Sequence, residues 1–102
     1  MNLYVSNILR HMTEDQRYSA EVVGRRIERL RNAYGLTQTD FAQRVGVLRE
    51  SVSLWERGKQ RPGIGPAQRI ADSYNVTLDW IFLGRLGTLQ FQMAQKLNAH
   101  EE

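Results

Sequence analysis

The amino-acid sequence predicts a small all-α domain of five helices. Apolar side chains recur at three- and four-residue spacing in five successive segments, as they do on the buried face of an amphipathic helix. Each segment is followed by a residue that tolerates the left-handed backbone conformation common after helix C-termini. No two segments have the alternating pattern of paired strands. The terminating residues are Gly35, Gly46, Gly58, Asn75 and Gly84.

The composition indicates one folded domain and excludes several kinds of site. The 102 residues suffice for one small domain, and 41% of them are hydrophobic and 25% charged. No apolar run has membrane length and no signal peptide is recognisable, so we expect a cytoplasmic protein without a membrane partner. The chain lacks cysteine, and its two histidines, His11 and His100, lie near opposite termini. We therefore expect no metal site, no cofactor and no enzymatic activity.

Positive charge is concentrated in the middle of the chain. From Gly24 to Arg85 there are eleven Lys and Arg residues against six Asp and Glu, whereas the remaining residues carry three against five. A nucleic-acid-binding surface requires such a concentration, but many soluble domains are also mildly basic. The charge distribution alone therefore favours nucleic acid only weakly.

The chain divides into three predicted parts. Residues 1–19 lack strong periodicity and are expected to form an arm that is mobile or docked on a partner. Residues 20–85 form the helical domain, and residues 86–102 form an extension with a candidate sixth helix. A thin apolar stripe on that helix is a candidate dimer contact; packing on the chain's own domain and fraying are the alternatives. The stripe consists of Leu89, Met93 and Leu97.

The first predicted helix covers about residues 20–34. Its apolar residues recur at helical spacing and are expected in the core, and its charged residues are expected to face water. The core set is Val23, Ile27, Leu30 and Tyr34, and the solvent-facing set is Arg25, Arg26, Glu28 and Arg29.

Two short helices joined by a tight turn follow. The hydroxyl of Thr37 can cap the second helix, and Asp40 can complete a reciprocal capping box. Gly46 ends this helix because glycine adopts positive φ without steric cost. The third helix runs from about residue 48 to 57 and is too short to be stable alone, so its neighbours must hold it.

The two faces of the third helix differ in chemistry. At about 100° per residue, Leu48, Val52 and Trp55 fall on one stripe and are expected to face the core. The opposite face combines hydrogen-bonding and apolar side chains, which suits contact with base edges in a DNA major groove. An ordinary solvated surface is the alternative, because exposed helix faces commonly carry charges. This outer face comprises Glu50, Ser53, Leu54 and Arg57, flanked by Arg49 and Glu56.

The segment after the third helix is basic and ends in helix breakers. Lys59 and Arg61 are expected on a loop where a DNA backbone would pass, although a solvated charge run is the common explanation. A fourth helix has Pro66 in its first turn. A fifth helix, Leu78–Leu83, is expected to be capped by Thr77.

Three stretches, GLTQTDFAQRVGV, SVSLWERGKQRP and RIADSYNVTLDWIF, occur in this order between residues 35 and 82. They resemble the Cro/lambda-repressor-type (XRE-family) helix-turn-helix regulators over about three-fifths of the chain. The resemblance implies a compact five-helix lambda-repressor-like domain whose third helix lies in the major groove of double-stranded DNA.

The resemblance also implies roles for individual residues. Arg49, Glu50, Ser53 and Leu54 correspond to base-reading positions. The residues expected at DNA phosphates are Thr37, Gln38, Arg57, Lys59 and Arg61. Glu56 is expected to have a structural role instead, in an ion pair with Arg31 that holds the reading helix. Leu48 stands where the family usually has a capping Ser or Thr, so the third helix is expected to lack a side-chain cap.

Two functions are compatible with these observations. The first is a transcriptional regulator at the nucleoid, a repressor that binds a palindromic operator as a homodimer. The second is an antitoxin or adaptor with the same fold, whose main role is contact with a protein partner such as a toxin or antirepressor. Leu54 and the two flanking segments favour the second reading, and the family resemblance favours the first.

Overall fold

The computed structural model describes residues 13–87 and 89–99, and expectations for other positions lie outside this range. The described residues contain helices and no strand, which confirms the all-α prediction. The helices are α1 (Glu14–Arg17), α2 (Ala20–Ala33), α3 (Gln38–Val45), α4 (Arg49–Glu56), α5 (Ile64–Tyr74), α6 (Leu78–Leu83) and α7 (Phe91–Ala99).

The helix ends follow the local sequence signals. The Thr37 hydroxyl accepts a hydrogen bond from the Asp40 N–H at 3.1 Å, and Thr77 accepts one from Trp80 at the same distance. Asn75 ends α5 in the left-handed conformation with φ of 58°. Leu48 makes no side-chain cap for α4, as expected. Capping and stop residues therefore place these helix boundaries.

The helices enclose one hydrophobic core. Within this core, Phe41 and Tyr74 form an aromatic stack, with ring centroids 5.0 Å apart and planes that differ by 10°. Tyr34 packs edge-on against Tyr74 and donates a hydrogen bond from its hydroxyl to the Tyr74 carbonyl at 3.0 Å. These contacts join the C-terminal end of α2 to α3 and α5, and α2 and α3 in turn pack against α4. The core also includes Val23, Ile27, Leu30, Val45, Val52, Trp55, Ile70, Trp80 and Ile81.

Leu48 does not face the core, contrary to the sequence expectation. Its side chain is 72% exposed. The residue precedes the first turn of α4 and has extended backbone angles, φ −75° and ψ 146°. Helical spacing predicts the direction of a side chain only where the backbone is helical, so it does not apply to Leu48.

Arg26 does not face water, although its charge predicted that it would. The side chain is 3% exposed, and Nη1 donates hydrogen bonds to the carbonyl oxygens of Arg17 at 2.8 Å and Ile81 at 3.0 Å. Both carbonyls lie in the last turn of a helix, where carbonyls lack intrahelical partners. One guanidinium thus caps the C-termini of α1 and α6. Burial is the largest cause that lowers the pKa of Arg26 to about 10, with the positive charges of Arg29, Arg17 and Arg25 adding to it.

The described part of the N-terminal arm, residues 13–19, packs on the helical domain. It contains α1, and the Ser19 hydroxyl accepts a hydrogen bond from the Val22 N–H and so caps α2. The ring of Tyr18 packs against Phe82 of α6, with centroids 5.6 Å apart. The sequence alone predicts that these residues lie outside the domain, because their apolar pattern is too short to indicate a helix.

The C-terminal helix α7 also packs on the chain's own domain. Met93 and Leu97 of its apolar stripe are buried in the common core, and Leu89 packs against it. Lys96 lies over the ring of Tyr34, with Nζ 4.0 Å from the centroid. Of the three alternatives for this stripe, the structure therefore shows packing on the chain's own domain, with Met93 and Leu97 buried within one chain.

Candidate nucleic-acid interface

The candidate interface is built on α3, α4 and the turn between them. Gly46 ends α3 with φ of 76°, and the N–H groups of Gly46 and Val47 both donate to the Ala42 carbonyl, at 2.9 and 3.0 Å. This Gly-centred C-cap redirects the chain within a few residues. Val52 and Trp55 then hold the inner side of α4 in the core. The eight-residue α4 is thereby fixed by tertiary packing, as its length requires.

Gly24 lets α2 approach α4 closely. A Cβ atom at this position would lie 1.9 Å from the Trp55 carbonyl oxygen and 3.0 Å from its carbonyl carbon. Both are backbone atoms, so no side-chain rotation could relieve the overlap. Any larger residue would force the two helices apart. The sequence signal for this contact is a lone glycine inside a helical pattern.

Arg31 and Glu56 form the ion pair that the family resemblance implies. Arg31 Nε donates to Glu56 Oε2 at 2.7 Å and Nη2 donates to Oε1 at 2.8 Å. A further bond from Nη1 to the Leu36 carbonyl at 2.8 Å fixes the guanidinium against the connection between α2 and α3. The Glu56 side chain is only 3% exposed. The hydrogen bonds to Glu56 raise the pKa of Arg31, against the opposing effect of burial. This two-bond geometry ties α4 to α2 in one orientation.

Gln38 belongs to the same network. Its Nε2 donates to Glu56 Oε1 at 3.1 Å, so the carboxylate holds the start of α3 as well as α2. The Thr37 hydroxyl serves as the cap of α3. Of the five residues expected at DNA phosphates, Thr37 and Gln38 therefore have side chains that already form hydrogen bonds within the protein. What α3 offers an anion is the N–H donors of Gln38 and Thr39, because the Asp40 N–H already donates to the Thr37 hydroxyl.

The four expected base-reading residues share the outer side of α4. Arg49 and Glu50 are exposed, and Ser53 and Leu54 are half-buried. Arg57 follows the helix and donates from Nε to the Ser53 hydroxyl at 3.2 Å. The outer face of α4 thus presents guanidinium, carboxylate, hydroxyl and apolar groups on one short helix.

The two loop cations have different surroundings. Lys59 is exposed, and its backbone N–H donates to the Leu54 carbonyl at 2.9 Å, which continues the turn after α4. Arg61 is held by the N-terminal segment instead: Nη1 donates to the Tyr18 carbonyl at 3.0 Å, and the guanidinium carbon lies 4.1 Å from the centre of the Tyr18 ring. Nothing in the sequence around Tyr18 indicates this contact with Arg61, 43 positions away.

Metal-ligating side chains do not form clusters among the described residues. Among them, no group of three or more His, Cys, Asp or Glu side chains could hold a metal ion. Within the same ranges, no helix is long and apolar enough to cross a membrane.

Comparison with known proteins identifies the family. A family model described as helix-turn-helix matches residues 27–81, which is more than half of the chain. This protein therefore belongs to the XRE-type helix-turn-helix family of DNA-binding transcription regulators. The match begins within α2 and ends within α6, so it contains the candidate interface but neither Tyr18 nor Gly24.

The relatives come from archaea and bacteria. An uncharacterized HTH-type transcriptional regulator of Archaeoglobus fulgidus is 38% identical over 58 residues, 57% of this chain and 83% of that protein. The uncharacterized HTH-type transcriptional regulator YazB of Bacillus subtilis is 37% identical over 60 residues, 59% of this chain and 87% of that protein. The HTH-type transcriptional activator BcrR of Enterococcus faecalis is 32% identical over 59 residues, 58% of this chain and 29% of BcrR. No solved structure matches the chain significantly.

Proposed function

We propose that this protein regulates transcription by binding a specific double-stranded DNA sequence through α4. The observation that carries the proposal is the contrast between the two sides of this helix. Val52 and Trp55 anchor its inner side, while Arg49 and Glu50 on its outer side are exposed. A helix held in this way can enter a major groove without losing its support.

The outer side chains suit recognition of base edges. Arg49 can donate two hydrogen bonds to a guanine, and Glu50 can accept one from the amino group of a cytosine. Ser53 can donate or accept, and Leu54 can contact the methyl group of a thymine. These four residues are the proposed sequence-reading set.

The surrounding groups suit the DNA backbone. Arg57, Lys59 and Arg61 are cations that follow α4 directly, and the free N–H groups near Thr37 and Gln38 lie at the positive end of the α3 dipole. Phosphate contacts of this kind position the protein without reading sequence. They should make binding strongly dependent on salt.

We further propose that the protein acts at the nucleoid as a homodimeric repressor on a palindromic operator. One α4 reads only a few base pairs, and a two-fold dimer doubles the contact and matches an inverted repeat. A dimer bound across a promoter would exclude RNA polymerase. The predicted half-site spacing is about 10 base pairs or a multiple of it.

Selection of bound sites from random double-stranded DNA at physiological salt tests the proposal. Enrichment of one inverted repeat is expected, because each half-site would be read by one copy of α4. Enrichment of a single half-site would contradict the dimer, and no enrichment would contradict sequence-specific binding. A reporter gene under the selected site should be expressed less when the protein is present; increased expression would contradict repression.

A second candidate function is contact with a protein partner on the same fold. Leu48, just before α4, and Ile64, at the start of α5, are 72% and 65% exposed, so two large apolar side chains are open to a protein partner. Co-purification with the product of a neighbouring gene would favour this function. If Leu48→Ser lost that complex but still bound DNA, the protein-binding function would be distinct from the DNA-binding function.

A further inference from the structure

Tyr18 holds the side chain of Arg61 by two separate contacts. The guanidinium lies over the aromatic ring, 4.1 Å from its centroid, and Nη1 donates a hydrogen bond to the Tyr18 carbonyl at 3.0 Å. The first contact fixes the plane of the guanidinium and the second fixes its rotation within that plane. The two residues are 43 positions apart in the chain, so this contact exists only in the folded domain.

Tyr18 is itself held in place. Its ring packs against Phe82 of α6, with centroids 5.6 Å apart. The preceding residue, Arg17, is bound through its carbonyl by the buried Arg26, and the following residue, Ser19, caps α2. The ring is therefore a fixed platform, although 43% of the residue remains exposed.

The contact leaves most hydrogen-bond donors of Arg61 available. A guanidinium has five N–H donors that point outward in its plane, and stacking occupies its face rather than this edge. Within the described residues, the contact with Tyr18 uses one donor. An arginine fixed in this way can still form the two parallel hydrogen bonds with which arginine binds phosphate.

We propose that Tyr18 is a positioning residue that pre-orders Arg61 for a phosphate of the DNA backbone. The inference rests on the proposed DNA-binding function and extends it to a segment that the family match does not include. A free arginine side chain loses rotational freedom on binding, whereas Arg61 has already lost it in the folded protein. Removal of the ring should therefore weaken DNA binding about 2- to 10-fold.

The test compares Tyr18→Ala, Tyr18→Phe, Arg61→Ala and the double variant Tyr18→Ala/Arg61→Ala, with Kd for the selected operator measured at several salt concentrations. Tyr18→Ala should weaken binding and leave the salt slope unchanged, because Arg61 still reaches the phosphate. Tyr18→Phe should bind like wild type, because it keeps the ring and the backbone carbonyl. Arg61→Ala should weaken binding and lower the salt slope by about 0.9. In the Arg61→Ala background, Tyr18→Ala should have no further effect.

Tyr18→Leu separates positioning from folding. Leucine keeps apolar contact with Phe82 but offers no aromatic face, so it should bind DNA as weakly as Tyr18→Ala while its Tm stays near that of wild type. Wild-type affinity in this variant would overturn the inference.

Other results would also overturn it. Tighter binding by Tyr18→Ala would mean that the ring withholds Arg61 from DNA. If Tyr18→Ala reduced DNA affinity equally with and without Arg61, Tyr18 would act through some other residue. If the salt slope of Arg61→Ala equalled that of wild type, Arg61 would not contact a phosphate. If wild-type protein bound no duplex, both this inference and the proposed function would fail. If the wild-type protein bound duplex DNA but the variants gave any of the contrary results above, the inference about Tyr18 would fail and the proposed function would stand.

Discussion

Gly24 of α2 lies directly against the backbone carbonyl of Trp55 in α4. Gly24→Ala should therefore destabilise the protein, although alanine is the better helix former by up to about 1 kcal/mol. The added methyl group would sit 1.9 Å from the Trp55 oxygen, and separating the helices should cost about 2 kcal/mol or more. Urea unfolding measures this loss. Operator affinity should fall as well, because α4 changes position.

Gly65 provides the matched control for this prediction. It is also a helical glycine, but a Cβ there would meet its nearest neighbouring atom, Arg69 Nη1, at 3.7 Å, an ordinary van der Waals distance. Gly65→Ala should leave stability unchanged or raise it by up to about 1 kcal/mol. Similar effects of the two substitutions would contradict the close approach of α2 and α4.

Glu56→Ala should destabilise the domain by about 3 kcal/mol, because it leaves Arg31 with an unpaired and largely buried charge. DNA affinity should fall for all sequences alike, since the orientation of α4 changes but no base contact is lost. Glu50→Ala is the control: its exposed carboxylate should affect stability by less than about 0.5 kcal/mol and change preference at one base position. A double-mutant cycle of Arg31→Ala and Glu56→Ala should show strong coupling. Additive losses would refute the ion pair.

Arg49→Ala and Lys59→Ala should weaken DNA binding in different ways. Loss of Arg49 should cost about 1–3 kcal/mol and relax specificity at one base position. Loss of Lys59 should weaken binding to all sequences and lower the salt slope by about 0.9. Binding curves for the operator and its single-base variants at several salt concentrations separate the two effects. An unchanged sequence preference in Arg49→Ala would show that this residue does not read a base.

Arg26→Ala should be among the most destabilising substitutions of a charged residue. It removes the charged donor for the Arg17 and Ile81 carbonyls, at a cost of about 3–5 kcal/mol. Arg26→Lys should lose less, because one ammonium group can still reach a carbonyl. Arg25→Ala, at an exposed neighbouring position, should change the free energy of unfolding by less than about 0.5 kcal/mol. Thermal and urea unfolding of the three variants provide the comparison, and equal effects at positions 25 and 26 would contradict the buried cap.

Helix positions could be predicted because their signals are local. Apolar spacing identifies α2 to α6, and residues such as Thr37, Gly46 and Asn75 place their ends within a residue or two. Leu48 marks the limit of this reasoning. It satisfies the apolar spacing of α4 but belongs to its N-cap, where the backbone is extended, so helical periodicity assigned it to the wrong environment.

Contacts between distant segments could not be predicted from spacing. Arg26 is buried because the carbonyls of Arg17 and Ile81 converge on it, and nothing in the residue types near Arg26 signals those partners. The position of Arg61 depends on Tyr18 in the same way. By contrast, the outer face of α4 follows from its helical period, because the side that holds Val52 and Trp55 determines the side that remains open.

The double cap formed by Arg26 has a consequence for where the domain begins. A fragment starting at Ala20, the boundary that periodicity suggests, would lack the Arg17 carbonyl and leave the guanidinium with one of its two anchors. The same truncation would remove Tyr18, whose ring contacts the Arg61 guanidinium. We therefore expect a stable fragment to need the short helix before Ala20. The family-matched segment alone, residues 27–81, contains α4 but lacks Tyr18, Gly24 and Arg26.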